Sequence, residues 1–224
     1  MTASTAVSTV LLKSLSVFAG FPEDQLRALA ELVMRRGAPR GSAVVREGDP
    51  SDALYVVLSG RLKVVVGEAD GKETILSILG KGEFFGDMGV IDDGPRSATV
   101  VAIEPCELLA ITRQAFRRCL GGNPDLAMAV MRVLVRRLRE ADRKIGGLAM
   151  LDVYGRVARL LLDMSESVNG RRVIAKRLSK QDIARMVGAS REMVSKVMKD
   201  LQTSGYIEMD GATIVLRDVH PEPR

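Results

Sequence analysis

The stretch from Ser179 to Met198, Ser-Lys-Gln-Asp-Ile-Ala-Arg-Met-Val-Gly-Ala-Ser-Arg-Glu-Met-Val-Ser-Lys-Val-Met, reads as two short helices around a tight turn. Ser179 can cap the first helix by accepting from free backbone N–H groups at its start. Ile183, Ala184 and Val187 then recur at helical spacing. Gly188 supplies the backbone freedom that a helix end needs. Ser190 caps a second helix, whose apolar face is Val194, Val197, Met198 and Leu201. Arg191, Glu192, Ser195 and Lys196 remain on its outer face. Apolar periodicity alone would fit any packed helical hairpin. A charged outer face that begins at the second helix's N-terminus instead predicts a helix-turn-helix that lays that helix in a DNA major groove.

Charge agrees with an anionic partner. The 224 residues carry a formal net charge of +5, and the basic excess is clustered. Arg132, Arg136, Arg137, Arg139, Arg143 and Lys144 crowd one segment; Arg171, Arg172, Lys176, Arg177, Lys180 and Arg185 precede or enter the helix-turn-helix. The second group suits contact with DNA phosphates. A solvated basic face is the plainer reading of either group.

The two cysteines, Cys106 and Cys119, have neither disulfide-framework nor metal-ligand spacing, and both sit among apolar residues as core thiols. The one histidine, His220, lies near the C-terminus. No metal, haem or iron–sulfur site is expected. No apolar run reaches membrane-spanning length. The Ser/Thr-rich N-terminus lacks the basic and apolar regions of a signal peptide. A cytoplasmic protein without membrane contact is the expectation.

Upstream of the helix-turn-helix the texture changes twice. Leu11 to Phe18 reads as a short amphipathic element. Pro22 to Arg35 reads as a helix, with Leu26, Leu29, Ala30 and Val33 on one face. From Gly37 onward, β-branched runs alternate with glycine turns: Ala43–Arg46, Leu54–Ser59, Arg61–Val66, Thr74–Leu79, Ser97–Ile103 and Cys106–Thr112. Strands at that spacing predict a small all-β barrel or sandwich. After Asn123-Pro124, Ala127, Met131, Leu134, Leu138, Ala141, Ile145 and Leu148 alternate in steps of four and three. That is a heptad seam, which predicts a homodimer through Met131, Leu134, Leu138, Ala141 and Ile145. The alternative is a helix packed on its own β domain. After a short joint, Val153–Ser165 reads as a helix. Tyr206–Met209, an Asp210-Gly211 turn and Thr213–Leu216 read as a hairpin, the wing of a winged helix.

Within the β region, Gly82-Glu-Phe-Phe-Gly86-Asp87-Met-Gly89 is followed by Pro95-Arg96-Ser97-Ala98. Gly86 and Gly89 bracket a turn whose free N–H groups can face an anion. Arg96 adds a guanidinium fork suited to phosphate, and Ser97 a hydroxyl. Asp87 can accept from a sugar hydroxyl. The plainer reading is a loop salt-bridged to its own carboxylates.

In this order of parts the chain resembles the cyclic AMP receptor (Crp/Fnr) family of bacterial transcription regulators, over about residues 15–217. The resemblance rests on the cassette Gly86-Asp87…Pro95-Arg96-Ser97-Ala98, the joint Lys144-Ile-Gly-Gly-Leu-Ala-Met-Leu-Asp-Val153, and Val187-Gly-Ala-Ser-Arg191-Glu192. It implies an α+β protein: an N-terminal β-roll (cyclic-nucleotide-binding domain, 1–122), a long dimerisation helix (123–150) and a C-terminal winged helix-turn-helix (151–224). By similarity, Arg96 and Ser97, in the cassette with Gly86 and Ala98, hold the cyclic phosphate, and Asp87 meets the ribose. The family's base contacts fall on Arg191, Glu192 and Lys196, with Lys180 and Ser190 at the phosphates. Double-stranded DNA, a second copy of the chain and RNA polymerase are the implied partners.

Departures from the family pattern bear on the effector. Asp87 replaces the longer glutamate of the cyclic AMP sensors. Their Thr-Ser pair on the dimer helix, which reads the adenine edge, is here Ala141-Asp142, with Arg143 next. A carboxylate suits the paired N1–H and N2–H donors of guanine and meets an acceptor on adenine. The expected effector is therefore cyclic di-GMP or cyclic GMP, with cyclic AMP next. An interhelical ion pair is the plainer role for Asp142. The N-terminal cysteine cluster of the oxygen-sensing branch is absent. With no nucleophile–base constellation, no enzyme is expected. A nucleotide phosphodiesterase and a ligand-free constitutive DNA-binding protein are the rival readings.

Overall fold

The computed structural model describes residues 7–15, 18, 21–67, 73–175, 179–210 and 213–217. The chain divides into two compact units, residues 1–138 and 139–224.

The first unit begins with helices α1 (Thr9–Lys13) and α2 (Glu23–Leu32). The expected helix over Pro22–Arg35 ends early. Val33 to Ala38 is strand β1, paired antiparallel with β8 (Cys106–Thr112) from Val33↔Ile111 to Ala38↔Cys106. Helical spacing carried as far as Val33, but pairing along a whole strand outweighs local propensity there. Two four-stranded sheets follow. One has the order β1-β8-β3-β6, with β3 Ala53–Ser59 and β6 Phe84–Phe85. The other has the order β2-β7-β4-β5, with β2 Ala43–Val45, β7 Thr99–Ala102, β4 Leu62–Gly67 and β5 Glu73–Leu79.

Strand β3 shows why the fold has two cores. Six of its seven residues are buried, all but Ser59. Successive side chains on a strand point to opposite faces. Leu54, Val56 and Leu58 join a core with α1, α2 and the helices after β8; Ala53, Tyr55 and Val57 join a second core with residues of the other sheet. Phe84 and Phe85 divide the same way.

A short helix, α3 (Asp87–Asp92), stands between β6 and β7, and α4 (Arg113–Gly122) follows β8, capped by Thr112. Helix α5 (Pro124–Met150) belongs to both units. Asn123 caps it: Oδ1 accepts from Leu126 N at 3.0 Å, and Nδ2 donates to Gln25 at 2.6 Å. Pro124 suits the first helical position.

In the second unit, α6 (Val153–Met164) is capped by Asp152, which accepts from Gly155 N at 2.8 Å. A hairpin follows, β9 (Glu166–Val168) and β10 (Arg171–Ile174), turning on Asn169-Gly170 with both φ positive. Sequence reasoning passed over it, although Asn-Gly is a strong hairpin signal. Helices α7 (Lys180–Val187) and α8 (Arg191–Thr203) come next, then β11 (Ile207–Asp210) and β12 (Thr213–Leu216), completing a sheet of order β11-β12-β10-β9. Strand β11 starts one residue later than expected. Gly211 of the expected turn, Lys176, Arg177 and His220 lie outside the described residues.

Candidate effector site and nucleic-acid interface

In the first unit, the cassette is built around a buried arginine. Arg96 is 4% exposed. Its backbone is locked: Arg96 N donates to Asp49 O at 2.8 Å, and Gly48 N donates to Arg96 O at 2.9 Å. Its guanidinium donates through Nη1 to Gly86 O at 3.3 Å and through Nη2 to Asp52 Oδ1 at 3.1 Å. It also lies 5.8 Å from the centroid of the Tyr55 ring. Gly86 has φ of 80°, and a Cβ there would overlap Arg96 Nη1. Gly89 is equally constrained, because a Cβ would run into the Ser51 hydroxyl and Gly94 O.

A cavity opens beside Arg96, with about 470 Å³ of free space including its solvent-filled mouth, lined by Gly86, Asp87, Met88, Ser97, Ala98 and Arg137 among others. Ser97 is exposed, and its hydroxyl reaches Met88 Sδ at 3.4 Å. The structure thus brings together Gly86, Asp87, Arg96, Ser97 and Ala98 of the expected effector set.

It adds Arg137, which the sequence reading left in a crowd of helix arginines. Arg137 Nη1 donates to both Asp87 oxygens, at 3.1 and 3.2 Å, and Nη2 donates to Phe84 O. Its guanidinium sits 4.8 Å from the Phe84 ring centroid. Asp87, 3% exposed, thus has both carboxylate oxygens on a guanidinium. A signal was present in the sequence. Arg137 follows Leu126, Val130, Val133 and Leu134 on the face of α5 that packs on the unit's own core, and an arginine on an apolar face needs a polar partner.

Helix α4 fastens the far end of α3. Arg117 donates to Val90 O at 2.8 Å, to Ile91 O at 2.9 Å and to Asp93 at 2.9 Å, and Arg113 also pairs with Asp93. The Arg117 hydrogen bond, then the charges of Arg117 and Arg113, hold the Asp93 carboxyl below its usual range. Burial raises both cysteine thiols, Cys106 and Cys119. Among the described residues no group of three or more His, Cys, Asp or Glu side chains is arranged to hold a metal ion, and no helix is long and apolar enough to cross a membrane.

The expected seam on α5 is partly redrawn. Met131, Leu138 and Ile145 are 48%, 63% and 66% exposed, whereas Leu134 is half-buried against the unit's own core. Met128 and Val135 are also exposed, so the open apolar stripe runs 128, 131, 135, 138 and 145. Leu134 at least partly serves its own domain. Ala141, Asp142 and Arg143 are exposed, and Arg143 Nε donates to Arg139 O at 3.3 Å.

In the second unit the helix-turn-helix forms as the sequence dictates. The Ser179 hydroxyl accepts from Asp182 N at 3.1 Å and donates to its carboxylate at 2.7 Å. Gly188 ends α7 with φ of 63°. The Ser190 hydroxyl accepts from Met193 N at 3.1 Å. Val194, Val197, Met198 and Leu201 are buried; Lys180, Ser190, Arg191, Glu192 and Lys196 are exposed, and Ser195 is half-buried. A hydrogen bond from its own backbone N–H, then one from Ser190, then the Arg191 charge lower the Glu192 pKa below the usual glutamate range. Arg156 ties the joint to α7, donating to Leu151 O at 2.9 Å and Val187 O at 2.9 Å.

Comparison with known proteins matches residues 35–123 to the cyclic nucleotide-binding domain and residues 155–220 to the Crp-like helix-turn-helix domain. The CRP-like cAMP-activated global transcriptional regulator of Mycobacterium tuberculosis is 32% identical over 212 residues, 93% of this chain and 95% of that protein. The cAMP-activated global transcriptional regulator CRP of Pasteurella multocida is 37% identical over 182 residues, 80% of this chain and 87% of that protein. Among solved structures, the c-di-GMP responsive global regulator CLP of Xanthomonas campestris is 34% identical with a TM-score of 0.71, covering 84% of this chain and 96% of that one. These relatives are transcription regulators rather than enzymes, and the resemblance read from the sequence is borne out: the chain belongs to the Crp/Fnr family of transcription regulators.

Proposed function

We propose that the protein works as a homodimer that binds DNA in response to a cyclic nucleotide held by its phosphate on Arg96. The observation that carries this reading is the buried guanidinium facing a cavity lined by Gly86, Asp87, Ser97 and Ala98. The anion now on Arg96 is the exposed Asp52 carboxylate, which touches it through Nη2 alone, and a phosphate offers the planar two-point match that arginine makes best. The exposed apolar stripe on α5 supports pairing with a second copy, which gives two recognition helices for two half-sites. Arg191, Glu192 and Lys196 are assigned to bases, Lys180 and Ser190 to phosphates, and Ser195 to the same face. RNA polymerase is the further partner expected of such a regulator.

The effector is assigned to a guanine nucleotide, cyclic di-GMP or cyclic GMP, ahead of cyclic AMP. The grounds are chemical: Asp142 supplies two acceptors for the paired donors of guanine, and adenine offers no such pair. One relative is named as cyclic AMP-activated and another as cyclic di-GMP responsive, so both ligand classes occur near this chain. Calorimetric titration of the apo-protein with the three nucleotides tests the reading. Guanine nucleotides should bind at least about tenfold tighter than cyclic AMP, the lower end of the penalty for an acceptor left facing an acceptor. Tighter binding of cyclic AMP would overturn the guanine assignment; no loss of binding in Arg96→Ala would overturn the site.

A further inference from the structure

Four charged side chains are linked in and beside the cavity of the first unit: Arg137 with Asp87 at 3.1 Å, and Arg96 with Asp52 at 3.1 Å. The two pairs differ in character. The Asp87 side chain is 4% exposed and belongs to the cavity wall, whereas Asp52 is 82% exposed and reaches in from solvent to an Arg96 side chain that is 3% exposed. Asp52 lies 44 residues before Arg96, outside the glycine-rich cassette.

A buried guanidinium left without an anion is costly, so Arg96 requires a counter-ion. Asp52 supplies one. Because its carboxylate already stands in water, Asp52 itself loses little on leaving Arg96, provided that another anion takes its place there. With Asp52 in place the four charges sum to zero. A phosphodiester carries one negative charge, so it can exchange for Asp52 on Arg96 and leave the set balanced. A terminal phosphomonoester has a second pKa near 6 and carries nearly two charges at pH 8. It would leave the site with an excess of negative charge beside the Asp52 carboxylate.

We propose that Asp52 is a specificity-determining residue of the effector site: as the exposed counter-ion of Arg96, it makes the phosphate position at Arg96 select a phosphodiester group, with one charge, over a phosphomonoester group, with nearly two. This deepens the reading of the cavity as a cyclic-nucleotide site and rests on it.

Asp52→Asn isolates the charge, since the amide oxygen can still accept from Arg96 Nη2. Each negative charge on the phosphate group at Arg96 should then gain the same factor, so a phosphomonoester gains its square. Affinities of cyclic AMP, cyclic GMP, 5′-AMP and 5′-GMP are measured at pH 8 for wild type, Asp52→Asn and Arg96→Ala. The expected result is about threefold tighter binding of the cyclic nucleotides and about tenfold tighter binding of the linear ones in Asp52→Asn. Asp49→Asn, an equal change of net charge three residues away, should leave the ratio unchanged. Equal gains for both ligand classes, or weaker binding of both, would overturn the role of Asp52 alone. Cyclic-nucleotide binding that survives in Arg96→Ala, or no binding in any variant, would overturn the site reading and this proposal together.

Discussion

Arg96 and Gly86 are built against each other: the Arg96 guanidinium donates to Gly86 O at 3.3 Å and fills the space that a Gly86 side chain would need. Gly86 also holds a left-handed φ of 80°. Gly86→Ala therefore meets two penalties, about 1–2 kcal/mol for the backbone conformation and the displacement of Arg96. Effector binding measured by calorimetry should be lost, while thermal unfolding shows a fold weakened but intact. Normal effector affinity in this variant would mean that Arg96 is not the phosphate ligand.

Asp87 and Arg137 form the second ion pair of the cavity, a buried carboxylate with a half-buried guanidinium. Arg137→Ala leaves a carboxylate that is 3% exposed without its counter-ion. Chemical denaturation should show a loss of about 1–3 kcal/mol, the penalty of an orphaned buried group. Arg137→Ala combined with Asp87→Asn should recover part of it. Additive losses in that cycle would argue against a direct coupling.

Dimerisation can be separated from domain stability because the residues of α5 divide into two sets. Leu138 is 63% exposed, so Leu138→Asp should give monomers by sedimentation and an unchanged melting temperature for the first unit. Leu134 touches the core of its own unit, so Leu134→Asp should lower stability as well, by about 2–5 kcal/mol for a charge placed among buried apolar groups. A Leu138→Asp protein that remains dimeric would remove α5 as the interface.

The DNA-facing residues divide by what they touch. Glu192 suits a cytosine amino group, and Glu192→Ala should relax one base pair per half-site by about 1–3 kcal/mol. Lys180→Ala should weaken all sequences alike and lower the salt slope by about one. Because the Glu192 carboxyl sits below the usual glutamate range, it stays charged, and the preference should hold unchanged from pH 8 to about pH 5. Equal losses on specific and random DNA for Glu192→Ala would contradict base reading.

Much of this molecule is written in local pattern. The caps Ser179 and Ser190, the left-handed Gly188 and the apolar face Val194–Leu201 each follow from spacing and side-chain chemistry, and all form as read. The six strands read between 43 and 112 are present, with ends shifted by at most two residues. What escaped depends on partners distant in sequence. Val33 continues a helical stripe, yet joins a strand because β8 lies alongside it. The ion pairs Asp52–Arg96 and Arg137–Asp87 span 44 and 50 residues. No local spacing announces them, although Arg137 betrays itself by its position on the inner face of α5.

The central claim is that a nucleotide on Arg96 controls DNA binding. The most direct measurement is the affinity of the full chain for a palindromic duplex with G·C pairs in each half-site. It is taken with and without saturating cyclic di-GMP, cyclic GMP or cyclic AMP, for wild type and Arg96→Ala. One nucleotide should raise the affinity of the wild type by at least about tenfold, a coupling of about 1.4 kcal/mol within the usual allosteric range, and should have no effect on Arg96→Ala. Equal affinity in all conditions for both proteins would contradict it, leaving the β domain as a scaffold for a constitutive DNA-binding protein.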